Sequence, residues 1–244
     1  MRPLKLLFWH SYFLSLDLAR QPMYIVSTVL FPSMFFWFFG VPNAQEVGSA
    51  NLLTGSFSAY AVLGVVLFQF GVGIAQERAS PWADTLRTLP LPPHIGIFAR
   101  VLSGFFFSLL AVGGVLLTAH FSTPADLSLV RILSLAAVLL LGAVPFALMG
   151  ITLGFTVSAQ SALPVANLVY LPLSFAGGLW MPPNALPKVV QDISPYLPTR
   201  MYGEVVWNMM LSREFEAKPA FGLFAYGLIF LAATLVLYRR ERSL

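Results

Sequence analysis

Residues that could do chemistry are few in this chain, and the most distinctive group of them lies in one stretch. That stretch, QERASPWADTLRTLPLPPH from Gln76 to His94, separates two long apolar runs. No catalytic pattern stands out in the chain: His10, His94 and His120 share no metal-ligand spacing, and Ser56 and Ser58 have no apparent basic partner. The sequence also lacks the G-x-x-x-x-G-K-[ST] loop that cradles phosphates. We therefore expect no catalytic site, no metal and no bound nucleotide in this chain.

The polar stretch itself predicts a short amphipathic helix. Ser80 is a suitable N-cap, and Pro81 suits the first helical position because its missing N–H would have no partner there. One face then carries Trp82, Leu86 and Leu89, at i, i+4 and i+7. Other faces carry Asp84, Arg87 and Thr88, and the helix ends at Pro90, Pro92 and Pro93. A two-faced helix beside a membrane needs a surface to bind, and we predict a motor subunit encoded elsewhere.

The composition is that of an integral membrane protein. Hydrophobic residues make up 58% of the chain and charged residues 10%, against about 25% charged in soluble domains. The net charge of +4 indicates anionic lipid headgroups rather than nucleic acid, because the basic residues fall beside apolar runs. With no cysteine in the chain, disulfides and thiolate metal sites are excluded.

Charge-free intervals locate the membrane spans, since a charge at bilayer depth costs at least about 2.5–3.5 kcal/mol. The 56 charge-free residues from 132 to 187 would measure about 84 Å as one helix, against a hydrocarbon core of about 30 Å. This interval must therefore turn back, and the break is expected at Ser158 to Pro164. The sequence thus predicts an all-α protein in one domain, 1–244, with six transmembrane helices near 22–40, 52–75, 97–119, 130–157, 162–181 and 220–238.

Orientation follows from the distribution of Lys and Arg. The connections 41–51 and 120–129 contain neither, which places them outside by the positive-inside rule. Both termini should then be cytoplasmic. The N-terminal segment Pro3 to Arg20 is expected to be an interfacial helix rather than a cleaved signal, because His10 and Asp17 interrupt its apolar run. Before the last span, Pro182 to Pro219 is too apolar for a solvated loop and predicts short re-entrant helices.

Glycines recur within the predicted spans. Gly150-x-x-x-Gly154, Gly71-x-Gly73 and Gly113-Gly114 would let helices approach closely. Such contacts would lie either within the subunit or across a dimer, and intrasubunit packing is the preferred interpretation.

Two segments also match a known family of membrane permeases. The first follows the second span, where Glu77, Arg78, Leu86, Pro90 and Leu91 fall at the spacings of E-R-E-x-G-T-L-E-x-L-x-x-T-P-L, while Ala79, Pro81 and Trp82 depart from it. The second is LSFAGGLWMPPNALPKVVQDISPYLPTRMYGEVVW, with Gly177, Gly178, Trp180, Pro182, Pro187, Pro195 and Pro198. Together they make the chain resemble the transmembrane subunit of type-2 ABC export systems.

The resemblance implies a dimeric permease in a bacterial cytoplasmic (inner) membrane, docked to two separate ATPase subunits that bind ATP and Mg. Segment 80–90 would be a coupling helix in a groove of the ATPase. Trp82, Leu86 and Leu89 would make its apolar contact, oriented by Glu77, Arg78, Asp84 and Arg87. The substrate would be hydrophobic or amphipathic, such as a drug, a lipid or a lipid-linked glycan.

Two other classes of function stay open at the level of sequence. A non-transporting membrane scaffold would use the same amphipathic segment to recruit a cytoplasmic partner. A passive channel or lipid scramblase would work without an ATPase, although the lack of charged rings in the spans disfavours an ion channel. Substrate identity, and the choice between homodimer and heterodimer, do not follow from the residues.

Overall fold

The structure is a computed structural model that describes residues 3–81 and 93–242. Within these ranges the chain is helical and contains no β-strand. The helices are α1 (Pro3–Ala19), α2 (Pro22–Asn43), α3 (Val47–Arg78), α4 (Pro93–Ser122), α5 (Leu129–Gly142), α6 (Val144–Thr156), α7 (Ala159–Ala176), α8 (Lys188–Ile193), α9 (Pro198–Met210) and α10 (Ala217–Arg242). Residues 79–92, which join α3 to α4, are called the hairpin below.

Five helical segments of the described chain are long and apolar enough to cross a membrane. They are Pro22–Asn43, Val47–Arg78, Ile95–Ser122, Leu129–Thr156 and Ala217–Arg240. The prediction of an all-helical, multi-pass membrane protein is therefore confirmed. Successive crossings define two ends of the bundle: the hairpin end, and the far end, which holds the connections after α2 and α4.

The predicted fifth span, 162–181, corresponds to α7, which is not among these five segments. At 18 residues α7 is about 27 Å long, slightly short of the hydrocarbon core. It also carries Pro164 and Pro172 in its interior and polar residues at Gln160 and Asn167. A sixth crossing by α7 thus stays a prediction. The predicted break before it agrees with the structure, because α6 ends at Thr156 and Ser158 caps α7.

Span α3 is the centre of the bundle. Of its most apolar stretch, 83% is buried, compared with 6% for α10. Helices α2, α4, α6 and α9 all pack against α3, whereas α10 packs on the outside against α6 and α9. A central helix has no face toward lipid, which explains why small and polar residues alternate with apolar ones along it.

Glycines allow α3 and α6 to approach each other closely. A Cβ atom at Gly154 would lie 2.9 Å from the carbonyl oxygens of Phe70 and Gly71. At Gly150 it would lie 3.1 Å from the Phe70 Cβ and 3.2 Å from the Val66 carbonyl oxygen. The Gly150-x-x-x-Gly154 motif therefore serves contacts within the subunit, as the sequence favoured, because neither position has room for a side chain.

Irregular turns interrupt two of the long helices. In α2, wider π-type turns occupy Val26–Leu30 and Phe36–Gly40, on either side of Pro32. Proline has no backbone N–H, so Pro32 cannot donate a hydrogen bond to the carbonyl one turn earlier in the helix. In α3 such turns cover Leu67–Val72, next to the Gly71 contact. Turns of this kind leave backbone groups displaced from the regular helical ladder, often at functional sites.

Candidate functional site at the base of the hairpin

A cluster of polar side chains holds the two helices that carry the hairpin. It consists of Tyr24, Gln69, Glu77, Arg78 and Arg100, and is called the hairpin-base cluster. Glu77 and Arg78 end α3, and Arg100 lies two turns into α4. With 32 residues α3 is about 48 Å long, more than a hydrocarbon core of about 30 Å requires. The helix therefore has enough length for its last turn to leave the hydrocarbon.

Arg100 is the central residue of the cluster. Its Nη2 group donates to the Glu77 carboxylate, and its Nη1 group donates to the Gln69 carbonyl oxygen at 3.0 Å. Its side chain is 13% exposed and that of Glu77 is 42% exposed. A guanidinium in an apolar bundle is tolerated only with such partners, since an unpaired buried charge costs several kcal/mol. The pair thus joins the two ends of the hairpin.

Gln69 extends the network to α2. This side chain is only 2% exposed, and its Nε2 group donates to the Arg100 carbonyl oxygen at 3.5 Å. Its Oε1 atom accepts a hydrogen bond from the Tyr24 hydroxyl at 3.3 Å. Because Gln69 lies in the π-type turns of α3, its carbonyl oxygen is displaced from the regular helical ladder and accepts from Arg100. Spans α2, α3 and α4 are thereby joined by one set of polar contacts.

Arg78 connects the cluster to α6 on the opposite side of α3. Its Nη1 group donates to the Gly154 carbonyl oxygen at 2.8 Å, and its guanidinium lies 5.3 Å from the centre of the Phe155 ring. The Gly154 carbonyl is in the last turn of α6, where a helix carries partial negative charge. Arg78 therefore caps α6 and fixes its end to the hairpin base.

Helix α1 lies beside the cluster and packs along α4. Burial lowers the pKa of His10 in α1, and the positive charge of Arg100 lowers it further. The neutral imidazole is therefore favoured at the place where α1 meets the hairpin base. The described residues contain no group of three His, Cys, Asp or Glu side chains that would hold a metal ion.

The structure brings together only part of the predicted coupling site. Glu77 and Arg78 lie in the hairpin-base cluster, and Pro81 is already helical at the limit of the described range. The remaining predicted residues lie outside the described residues: Trp82, Asp84, Leu86, Arg87, Leu89, Pro90 and Leu91. Their role in binding an ATPase stays a prediction.

At the far end, the second predicted segment forms a compact turn between α7 and α9. Gly177 ends α7, where a Cβ atom would lie 2.4 Å from the Thr199 hydroxyl, and Gly178 has a φ of 78°, which favours glycine. Pro182 and Pro187 precede short helical turns, Pro195 lies in the turn Ser194–Tyr196, and Pro198 begins α9. Sequence reasoning expected re-entrant helices here, and their depth in the membrane stays a prediction.

Trp180 anchors this segment in an aromatic group. Its ring lies 5.0 Å from Phe35, 6.0 Å from Tyr60 and 5.7 Å from Phe175, measured between centroids. Tyr60 stacks on Tyr170 at 4.8 Å, and the Tyr170 hydroxyl donates to the Tyr60 carbonyl oxygen at 3.0 Å. The far-end segment is thus fixed to α2, α3 and α7 by aromatic contacts, each worth about 0.5–1.5 kcal/mol beyond area burial.

Sequence reasoning missed three members of the hairpin-base cluster: Tyr24, Gln69 and Arg100. By sequence alone, Arg100 counts as one of the basic residues near the cytoplasmic end of a span, and Gln69 is an uncharged residue within a long apolar run. A signal was nonetheless present, because Arg100 falls inside the predicted span 97–119 and a charge at that depth requires a partner. The identity of the partner depends on how α3 and α4 face each other, which the sequence does not specify.

The fold and the site define a class: a multi-pass, all-helical membrane protein with a polar cluster that joins four of its helices at one end of the bundle. A family model described as ABC-2 type transporter matches residues 5–211, and the chain belongs to this family. It is 26% identical over 230 residues to YvfS of Bacillus subtilis (strain 168), whose name ascribes to it a transport-permease role. The match covers 92% of this chain and 93% of that protein.

Membership identifies the chain as a transport permease subunit, a kind of protein without its own ATPase site. Permeases of this family are generally paired with an ATPase subunit.

Proposed function

We propose that this chain is the transmembrane subunit of an ATP-driven exporter and that a separate ATPase acts on it through the hairpin. The observation that supports the proposal is the set of contacts at the hairpin base. Glu77 pairs with Arg100, Gln69 joins Arg100 to Tyr24, and Arg78 caps α6. A displacement of the hairpin would therefore be transmitted to α2, α3, α4 and α6.

In energetic terms, the ATPase must bind one arrangement of the hairpin better than another when ATP is present. Only such differential affinity shifts the balance between inward-closed and outward-open bundles. In this proposal ATP and Mg bind to the partner ATPase, and this chain supplies no cofactor site. The working assembly contains two permease subunits and two ATPases in a bacterial cytoplasmic membrane, with both termini of the permease in the cytoplasm.

The proposed substrate is hydrophobic or amphipathic: a drug, a lipid or a lipid-linked glycan. Two features support this class. The predicted span intervals carry few strong charges, and the aromatic side chains of Phe35, Tyr60 and Trp180 pack together where the far-end segment meets the bundle. A proton relay of buried carboxylates, which many ion-coupled transporters need, is absent from the spans that the structure describes.

The test uses two substitutions on different faces of the predicted coupling helix. Leu86→Asp places a charge on the apolar face, and Thr88→Asp places the same charge on another face as the matched control. We expect Leu86→Asp to abolish ATP-dependent efflux and to reduce co-purification of the ATPase by at least tenfold. Thr88→Asp should change both by less than twofold. If Leu86→Asp inserts normally and leaves both unchanged, the coupling role is wrong.

Reconstitution separates the other classes of function. A scaffold would bind the ATPase without nucleotide-dependent substrate movement. A passive channel or scramblase would move lipid or solute in vesicles that contain this chain alone. Transport only when both subunits, ATP and Mg are present supports the exporter.

A further inference from the structure

A cavity at the far end of the bundle has a composition that the transport function does not explain. It has a volume of about 560 Å³ and is called the far-end cavity. It is lined by Leu52, Pro182, Pro183, Asn184, Arg200, Glu204, Trp207, Asn208, Arg213 and Glu216. Small-molecule sites in proteins have volumes of about 300–1,000 Å³, so the far-end cavity is large enough for a lipid headgroup.

The position of the far-end cavity matches the depth of headgroups. Leu52 is in the second turn of α3, and Glu216 immediately precedes α10. Both are at the ends of spans that lie opposite the hairpin. Because the headgroup layers extend a bilayer from about 30 Å to about 40–45 Å, side chains at span ends face phosphates and ammonium groups.

Arg200 is held in place for binding an anion. Its Nε group donates to the Glu204 carboxylate at 2.7 Å, and its guanidinium lies 5.2 Å from the centre of the Trp207 ring. Trp207 is itself fixed, because its indole N–H donates to the Ser56 hydroxyl at 2.6 Å. Among the described residues, no hydrogen bond uses the Nη groups of Arg200. A fixed guanidinium with open Nη donors suits a phosphate, which it binds through two parallel hydrogen bonds.

The charges of the far-end cavity are balanced. Arg200 and Arg213 supply two positive charges, and Glu204 and Glu216 supply two negative charges. A ligand with a single negative charge would be attracted by the arginines and repelled by the carboxylates. A ligand with both signs, separated by a few ångströms, meets an opposite charge at each end. Leu52 and Pro182 add an apolar wall beside these groups.

We propose that the far-end cavity binds the headgroup of a zwitterionic phospholipid that carries a phosphate and a primary ammonium. The phosphate binds to Arg200 and Arg213, and the ammonium binds to Glu216 and Glu204. The acyl chains extend along the apolar wall into the surrounding leaflet. This assignment does not depend on the transport function, because the lipid is a resident of the membrane.

The experiment measures lipid binding by the purified full-length chain with no ATPase present. The probes are dihexanoyl phosphatidylethanolamine and dihexanoyl phosphatidylglycerol, titrated by calorimetry in detergent. The variants are Arg213→Gln and Glu216→Gln, whose exposed side chains line the cavity. Their matched controls are Lys218→Gln and Glu214→Gln, which are exposed nearby and do not line it.

We expect the phosphatidylethanolamine to bind at least fivefold more tightly than the phosphatidylglycerol. Each cavity variant should weaken that binding about two- to fivefold, because partly exposed ion pairs are individually modest, and the controls should not change it. Equal or tighter binding of the phosphatidylglycerol would overturn the proposal in favour of a simple anion site. Unchanged binding in Glu216→Gln would also overturn it.

A transported substrate with the same headgroup chemistry is the other source of such a ligand. It would bind only when the nucleotide-loaded ATPase is added, which would overturn the assignment to a resident lipid. Binding by the permease alone, together with failed efflux in the complex, would keep the lipid site and reject the exporter.

Discussion

Arg100 is the residue on which the hairpin base depends, because its guanidinium reaches both the Glu77 carboxylate and the Gln69 carbonyl oxygen. Arg100→Gln should lower the free energy of unfolding by about 1–3 kcal/mol, since it leaves buried acceptors without their donor. Glu77→Gln should cost about 1–3 kcal/mol as well, because it leaves the guanidinium of Arg100, whose side chain is 13% exposed, without its carboxylate. Unfolding of the purified protein measures both changes.

The double variant Arg100→Gln with Glu77→Gln completes the test. If the ion pair holds the hairpin base, the double variant should be more stable than the sum of the single losses predicts. Simple additivity of the two changes would show that the pair contributes nothing to this end of the bundle.

Gly154 is a second residue with a measurable effect. A Cβ atom there would lie 2.9 Å from two backbone carbonyl oxygens of α3, so Gly154→Ala should destabilise the protein by about 1–3 kcal/mol. Gly113→Ala is the matched control, because a Cβ atom at Gly113 has nothing within 4 Å. The control should be neutral or slightly stabilising, since alanine favours a helix. Equal thermal stability of the two variants would contradict the close contact of α3 and α6.

At the scale of elements, the docking of α1 should depend on pH through His10. Its pKa in the folded protein is lowered below 6.5, so the unfolded state binds more protons in the window below that value. The contribution of neutral His10 to the free energy of unfolding is therefore complete above pH 6.5, and it is lost as the pH falls through the lowered pKa. When the pH is lowered from 7.5 to 5.5, the hydrogen-exchange rates of α1 amides, corrected for intrinsic rates, should increase.

His10→Gln should remove most of this increase, because glutamine stays neutral across the range. His120→Gln is the matched control, because His120 lies in the last turn of α4, far from the hairpin base. This variant should retain the increase in exchange at low pH. An unchanged increase in His10→Gln would assign the pH dependence to another group.

The sequence predicted most elements and few of their contacts. Charge-free intervals located the spans, and the small polar residues at Ser158 located the break before α7. The π-type turns of α2 and α3 were not predicted, because they depend on packing around Pro32 and Gly71 rather than on a local signal. The same holds for the partners of Arg100, which lie 23 and 31 residues away along the chain.

For the molecule as a whole, the number of membrane crossings determines the side on which each connection lies. If α7 is the sixth span, Ser158 and Asn184 lie on opposite sides. Because the chain has no cysteine, single substitutions Ser158→Cys and Asn184→Cys in intact cells can be tested with an impermeant thiol reagent. We expect labelling of Asn184→Cys only, with Ser158→Cys reacting after the cells are permeabilised.

Two control positions fix the sidedness. Glu214→Cys, just before α10, should behave like Asn184→Cys, and Ala79→Cys, at the start of the hairpin, should behave like Ser158→Cys. Labelling of Ala79→Cys in intact cells would invert the orientation and contradict an ATPase at the hairpin.

The peripheral position of α10 makes this helix sensitive to bilayer thickness. The span Ala217–Arg240 is about 36 Å long and must tilt in a hydrocarbon layer of about 30 Å. Helix α10 also contacts α9. A Cβ atom at Gly222 of α10 would lie 2.3 Å from the sulfur of Met201 in α9. A thinner or thicker membrane would thus change the tilt of α10 and shift α9, which forms one wall of the far-end cavity.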